Sequence, residues 1–136
     1  MTQVIVYQNP NGPNVCVTTP TGEVSIDQVL TNDCPLGAII IDESELPQGN
    51  NDFFFDAWRL NGLIITVDIA AAQAYYLTVF NNIAKTSAST RALNTLTGIP
   101  NPIPDDQWLA SVNASRAQIS EATTTDALLA IPFPQP

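Results

Sequence analysis

Apolar residues fall in short blocks over residues 1–68 and recur at three- and four-residue steps over residues 69–131. The blocks read as strands. Residues 4–7 (Val-Ile-Val-Tyr) and 15–18 (Val-Cys-Val-Thr) flank Asn9-Pro10-Asn11-Gly12-Pro13, dense turn chemistry that predicts a hairpin with a loop of five or six residues. Ser25 and Gln28 are spaced as a capping box, which starts a short helix through Asn32 with Ile26, Val29 and Leu30 on one side. Cys34-Pro35 stops it. Residues 38–41 (Ala-Ile-Ile-Ile) form a continuous apolar run and predict a buried central strand. An acidic exit, Asp42 to Glu45, and a Leu46-Pro47 loop follow. Phe53-Phe54-Phe55 and Trp58 predict a strand, with Phe53 and Phe55 on one face and Phe54 and Asp56 on the other. A helix of the chain or a partner must cover the second face. Asn61-Gly62 predicts a type I′ turn into a fifth strand over residues 63–67. Asp68 stands as the N-cap of the next element.

Residues 69–93 read as one long helix, with Ile69, Ala72, Tyr76, Val79, Phe80 and Ile83 on one stripe. Its second half is rich in Ser and Thr and is expected to fray or kink. Gly98, Pro100, Pro102 and Pro104 make a stiff linker. Asp105 or Asp106 caps a second helix through Ser120, with Trp108 or Leu109, Val112, Arg116 and Ile119 on its stripe. Asp126 caps a last turn over residues 127–131. Residues 132–136, Pro-Phe-Pro-Gln-Pro, can neither be helical nor pair inside a sheet, and read as an extended arm. The class is therefore α+β: a small antiparallel-rich β module with one short helix (1–68), a helical region with its linker at 98–104 (69–131), and a Pro-rich extended arm (132–136).

Composition narrows the chemistry. Only 12% of the residues are charged, against roughly 25% in ordinary soluble domains. The net charge of −9 is concentrated in residues 1–68, where nine acids face Arg59 alone. Residues 69–136 carry four acids and three bases. Four cations in the whole chain cannot track a phosphate backbone, so no nucleic-acid partner is expected, and an acidic membrane surface would repel the chain. A basic protein partner fits this charge, and so does acidity that simply favours solubility. No basic lead with a long apolar core precedes residue 30, so no signal peptide is expected, and no apolar window is long enough to span a membrane.

Candidate catalysis is thin. Histidine is absent, which removes the commonest general base. Cys16 and Cys34, the only cysteines, lack a neighbouring base and form no zinc pattern. They read as two partly buried thiols or as a disulfide. Asp42, Glu43, Glu45, Asp52 and Asp56 could in principle serve as an acid–base pair or hold Ca²⁺, but match no calcium loop and read best as solvated surface. No cofactor, metal or catalytic residue is assigned. Arg59 is expected to pair with Asp52 or Asp56, or to anchor a partner.

Four stretches carry a resemblance: Thr19-Pro20-Thr21-Gly22-Glu23, Cys34-Pro35-Leu36-Gly37-Ala38, Ile41-Asp42-Glu43-Ser44-Glu45-Leu46-Pro47, and Phe54-Phe55-Asp56-Ala57-Trp58-Arg59-Leu60-Asn61-Gly62. Over residues 1–75 the chain resembles the N-terminal module of small accessory proteins of tailed bacteriophages, a group that includes tail-fibre assembly proteins. Their usual C-terminal half is a strongly charged helix. This chain has seven charges in residues 69–136 and is more similar to a capsid cement or decoration protein. The resemblance implies a non-enzymatic virion protein on the outer capsid surface, bound to the major capsid protein or another virion protein and forming a homo-oligomer, a dimer before a trimer. A tail or tail-fibre assembly factor is the alternative. Phe53, Trp58, Arg59, Trp108 and Phe133 are the candidate partner-binding residues.

Overall fold

The computed structural model describes residues 2–136. The chain divides at Asp68 and Ile69 into two compact units, each built on its own physical logic. The class is α+β, with antiparallel strands first and a long helix after them.

The first unit contains β1 (Gln3–Gln8), β2 (Val15–Thr18), α1 (Ile26–Asp33), β3 (Ile39–Asp42), β4 (Trp58–Asn61) and β5 (Ile64–Val67). β1 and β2 form the expected hairpin, paired from Ile5 with Thr18 to Gln8 with Val15. Asn9 closes its loop: its N–H reaches the Asn14 carbonyl at 3.0 Å and its side-chain amide reaches the Asn14 side chain at 2.8 Å. The sheet order is β2-β1-β3, which corrects the expectation for the Ile39-Ile40-Ile41 run. That run lies at the edge, and Ile39 and Ile40 are only half buried. The central strand is β1, where Val4, Ile5 and Val6 are all buried, as a strand covered on both faces requires. Both runs are continuously apolar, so their order in the sheet is set by long-range pairing rather than by composition.

The β4–β5 hairpin adds Trp58 and Ile65 to a core of Val4, Val6, Val15 and Ile41. Asn61 pairs with Ile64, so the two turn residues are Gly62 and Leu63. Gly62 has φ +64°, and no described residue other than glycine has positive φ. Glycine at the first central position with a negative φ after it is the type II′ arrangement, one residue out of step with the expected type I′. Asn61 instead donates from its side-chain amide to the Thr66 hydroxyl at 2.8 Å.

The Phe53-Phe54-Phe55 run is not a strand. Gly49–Ala57 is a 3₁₀ segment, a length unusual for that geometry. Phe54 and Ala57 are buried, three residues apart, which is the 3₁₀ period. A strand would send them to opposite faces. The Asp52 carboxylate accepts from the Phe53 N–H at 3.1 Å, and the Trp58 indole donates to the Asn51 carbonyl at 3.0 Å. Polar groups on either side of the phenylalanines thus hold the coil that an apolar run alone does not specify. α1 begins with the capping box as expected: Ser25 and Gln28 exchange both bonds at 3.3 Å.

The second unit contains α2 (Ile69–Thr97), α3 (Asp105–Glu121), α4 (Thr125–Leu129) and the chain end. α2 does not fray in its Ser/Thr-rich half. Hydroxyls of Thr86, Ser89, Thr90, Thr95 and Thr97 each donate to the carbonyl four residues back, at 2.8–3.2 Å, so their polar groups are satisfied within the helix. The buried stripe runs Ala72, Tyr76, Phe80, Ala84, Ser87, Arg91, at steps of four and three throughout.

Gly98, at φ +76°, ends α2. The Ile99 N–H returns to the Asn94 carbonyl at 2.8 Å and the Gly98 N–H to Thr95 at 3.4 Å, a Schellman closure that only a left-handed residue allows cheaply. α3 buries Val112 and Ile119 against α2. Neither Asp105 nor Asp106 caps it by a side-chain bond; Pro104 is the N-cap residue and both acids lie in the first turn. The last turn is capped by Thr124, whose hydroxyl accepts from the Ala127 N–H at 3.1 Å, rather than by Asp126.

Tyr76 ties the chain end to α2: its hydroxyl donates to the Ile131 carbonyl. Burial pushes its phenol above the usual value of 10.0. The folded chain keeps that proton to higher pH than the unfolded chain, so the contribution is complete below pH ~10 and is lost as pH rises through the folded value. Thermal melts across that range should show a fall in stability that Tyr76→Phe reduces, at a constant cost of about 1 kcal/mol for the missing hydrogen bond. An identical alkaline profile in both proteins would contradict this.

Candidate functional site

The sequence placed five candidate contact residues on the chain, and the two units use them differently. In the first unit Trp58 is 5% exposed and belongs to the core, stacked edge-on with Phe55 at 5.1 Å. Phe53 is half buried and meets Phe54 edge-on at 5.0 Å. Arg59 pairs with Asp68 at 3.7 Å, not with the Asp52 or Asp56 carboxylate. Its Nη1 also donates to the Asp56 and Trp58 carbonyls at 2.8 and 3.0 Å. Hairpin geometry explains the choice, since Arg59 lies opposite Thr66 and Asp68 lies just beyond β5. These three side chains build the fold before they present anything outward.

Two acids of this unit, Asp42 and Glu45, are engaged locally. Asp42 accepts from the Ser44 N–H at 2.9 Å, and Glu45 accepts from the Asp42 N–H at 3.1 Å. The Ser44 amide holds the Asp42 carboxyl below its ordinary 3.8. Among the described residues no group of His, Cys, Asp and Glu could hold a metal ion. Cys16 and Cys34 are free, half-buried thiols.

In the second unit Trp108 and Phe133 come together through the chain end. Phe133 stacks on Tyr76 with centroids 5.1 Å apart and planes 16° from parallel. Ser87 donates to the Pro134 carbonyl at 3.1 Å, and the Trp108 indole donates to the Gln135 carbonyl at 2.7 Å. The segment expected as an extended arm is a strap across α2 and α3. Its prolines offer no N–H, so its carbonyls carry the polar contacts, and three side chains far off in sequence supply the donors.

Arg91 is the residue that reading by residue type missed. It is 4% exposed. Its Nη2 donates to the Ile103 carbonyl and to Asp105, both at 2.7 Å, and its guanidinium lies 5.4 Å from the centre of the Trp108 ring. Its Nη1 is buried with no hydrogen-bond partner among the described residues. Asn101 joins in by donating to the Arg91 carbonyl at 3.3 Å and accepting from Asn94 at 3.0 Å. The 98–104 linker is thus fastened to the end of α2 rather than standing off as a spacer. The helical spacing of Arg91 from Ala84 and Ser87 was the available signal.

Several large apolar side chains of this unit are exposed. Leu93, Leu96, Ile99 and Leu109 are 52–85% exposed. Of these, Leu109 lines a cavity of about 260 Å³ together with Ala88, Arg91, Ala92, Thr95, Asp105 and Trp108. The first unit also exposes apolar side chains, Leu36 in the loop after α1 and Leu63 with Ile64 at the hairpin turn. No family model, curated protein or solved structure matches the chain. No helix among the described residues is long and apolar enough to cross a membrane. The chemistry of this surface suits contact with another apolar protein surface.

Proposed function

We propose that the chain is a non-enzymatic structural protein of a tailed-phage particle, a capsid cement or decoration protein that joins major capsid subunits on the outer surface. The observation that carries this reading is the set of exposed apolar side chains Leu93, Leu96, Ile99 and Leu109 on the second unit. Exposed apolar side chains, where they gather, mark protein contact sites. The low charge of residues 69–136 supports the same reading, since the core of an interface is depleted of charge. Weak contacts made by many copies multiply on a lattice through effective concentration, which is how a small protein stiffens a shell. A dimer, and after it a trimer, suits such a lattice.

The acidic first unit, with its resemblance over residues 1–75, supports a second reading as a tail or tail-fibre assembly factor. Such a factor holds its partner transiently and leaves the finished particle.

The double substitution Leu96→Glu with Leu109→Glu tests the first reading. Both sites are exposed, so stability is expected to change by no more than about 0.5 kcal/mol each. Retention on purified particles, measured by co-sedimentation, is expected to fall at least about ten-fold, because two charges must then be buried in the contact. Undiminished retention by a folded double variant would remove this surface from the proposal.

A further inference from the structure

We propose that the groove between α2 and α3 is a receptor for proline-rich extended peptide, and that its occupant in trans is the C-terminal strap of a second copy of this chain. The strap carries proline at positions 132, 134 and 136. Proline fixes its own φ and biases the residue before it toward extended backbone, so the segment is pre-set near polyproline geometry and loses little entropy on docking. The groove meets it as receptors for such peptides do, with aromatic surface and side-chain donors aimed at backbone carbonyls. Tyr76, Ser87 and Trp108 donate to the carbonyls of Ile131, Pro134 and Gln135. Phe133 supplies the one side chain that stacks, on Tyr76.

None of these contacts depends on the strap belonging to the same chain. The strap is also partly open to solvent. Pro132, Gln135 and Pro136 are exposed, and a cavity of about 350 Å³ remains between the strap and a wall that includes Phe80, Pro102, Ile103, Val112 and Ser115. No charged side chain lines that cavity, so the net charge of −9 does not oppose the approach of a second copy at this place. Five residues in polyproline geometry span about 15 Å, all of it used in docking, so exchange requires two grooves that abut about a two-fold axis. Exchange of an identical element is a low-cost route to a dimer. The inference stands apart from the particle reading, since it concerns what this groove binds.

The test uses two variants with complementary defects. A chain lacking residues 133–136 has a groove and no strap; a full-length Trp108→Ala chain has a strap and a weakened groove. Analytical ultracentrifugation of the mixture is expected to show a one-to-one pair that neither variant forms alone. The synthetic peptide of residues 133–136 is expected to bind the strapless chain, and to bind about five-fold more weakly when Trp108 is also changed to Phe, which removes one hydrogen bond. Failure of the peptide to bind better than a scrambled sequence overturns the receptor assignment. Peptide binding without pairing overturns the second-copy assignment. Should the strapless chain fail to fold, full-length Phe133→Ala takes its place in both arms, with the same outcomes deciding.

Discussion

A chain that stops at Asp126 is expected to lose the folded state of its helical unit. Leu128 is fully buried and Ile131 is 7% exposed; each contributes about 2 kcal/mol by burial. The Tyr76 hydroxyl would lose its acceptor, at about 1–3 kcal/mol for a buried group left unsatisfied. Phe133 would leave the face of Tyr76. The sum is of order 5 kcal/mol or more, comparable with the whole stability of a small domain. Far-UV circular dichroism should report the loss, because α2, α3 and α4 all lie in this unit. A free arm behaves in the opposite way: its removal leaves the spectrum and the melting temperature unchanged. The distinction matters for function, because only a free arm reaches a neighbour at no cost to its own fold, whereas this strap must first be released.

Replacing Arg91 with alanine is the second large effect. The side chain joins the end of α2 to the start of α3 through the Ile103 carbonyl and Asp105, and packs on Trp108. Hydrogen bonds to a charged group contribute about 1.5–3 kcal/mol. The Asp105 carboxyl is 83% exposed, so water replaces much of what it loses. The expected cost is therefore about 2–3 kcal/mol, read as a shift of the urea midpoint with the slope unchanged. Arg91→Lys is expected to recover part of it, since both bonds come from Nη2 alone, which an ammonium can imitate, while the planar group against the Trp108 ring is lost. Leu109 shares a cavity wall with Arg91, so Arg91→Ala should also weaken attachment more than its stability cost alone explains. A stability loss with undiminished attachment of the remaining folded chain would separate the two roles.

What was legible in the sequence is what local chemistry decides. Ser25 with Gln28, Gly98, and the proline spacing of residues 100–104 each fix their own backbone, and the structure follows them. The apolar steps Ala72, Tyr76 and Phe80 likewise fix the face that α2 buries. What was not legible depends on partners distant in the chain. Val4-Ile5-Val6 and Ile39-Ile40-Ile41 are equally apolar, and only pairing makes the first of them central. Phe53-Phe54-Phe55 has no period of its own, so the polar residues around it decide between strand and 3₁₀ coil. Arg91 continues a stripe that apolar counting ends too soon. The strap looked free because the donors for its carbonyls lie on Tyr76, Ser87 and Trp108, at least 27 residues away. Of the five expected contact residues, Trp58 lies in the core and Phe53 and Arg59 are held within their own unit, while Trp108 and Phe133 meet at the strap; Leu93, Leu96 and Leu109 drew no notice as contact residues.

The proposal that the chain remains in the finished particle is tested most directly by quantitative mass spectrometry of purified virions, with copy number referred to the major capsid protein. The account predicts a fixed, many-copy ratio that persists through repeated washing. Abundance in the lysate with none in the washed particle would contradict it and leave the transient assembly role standing.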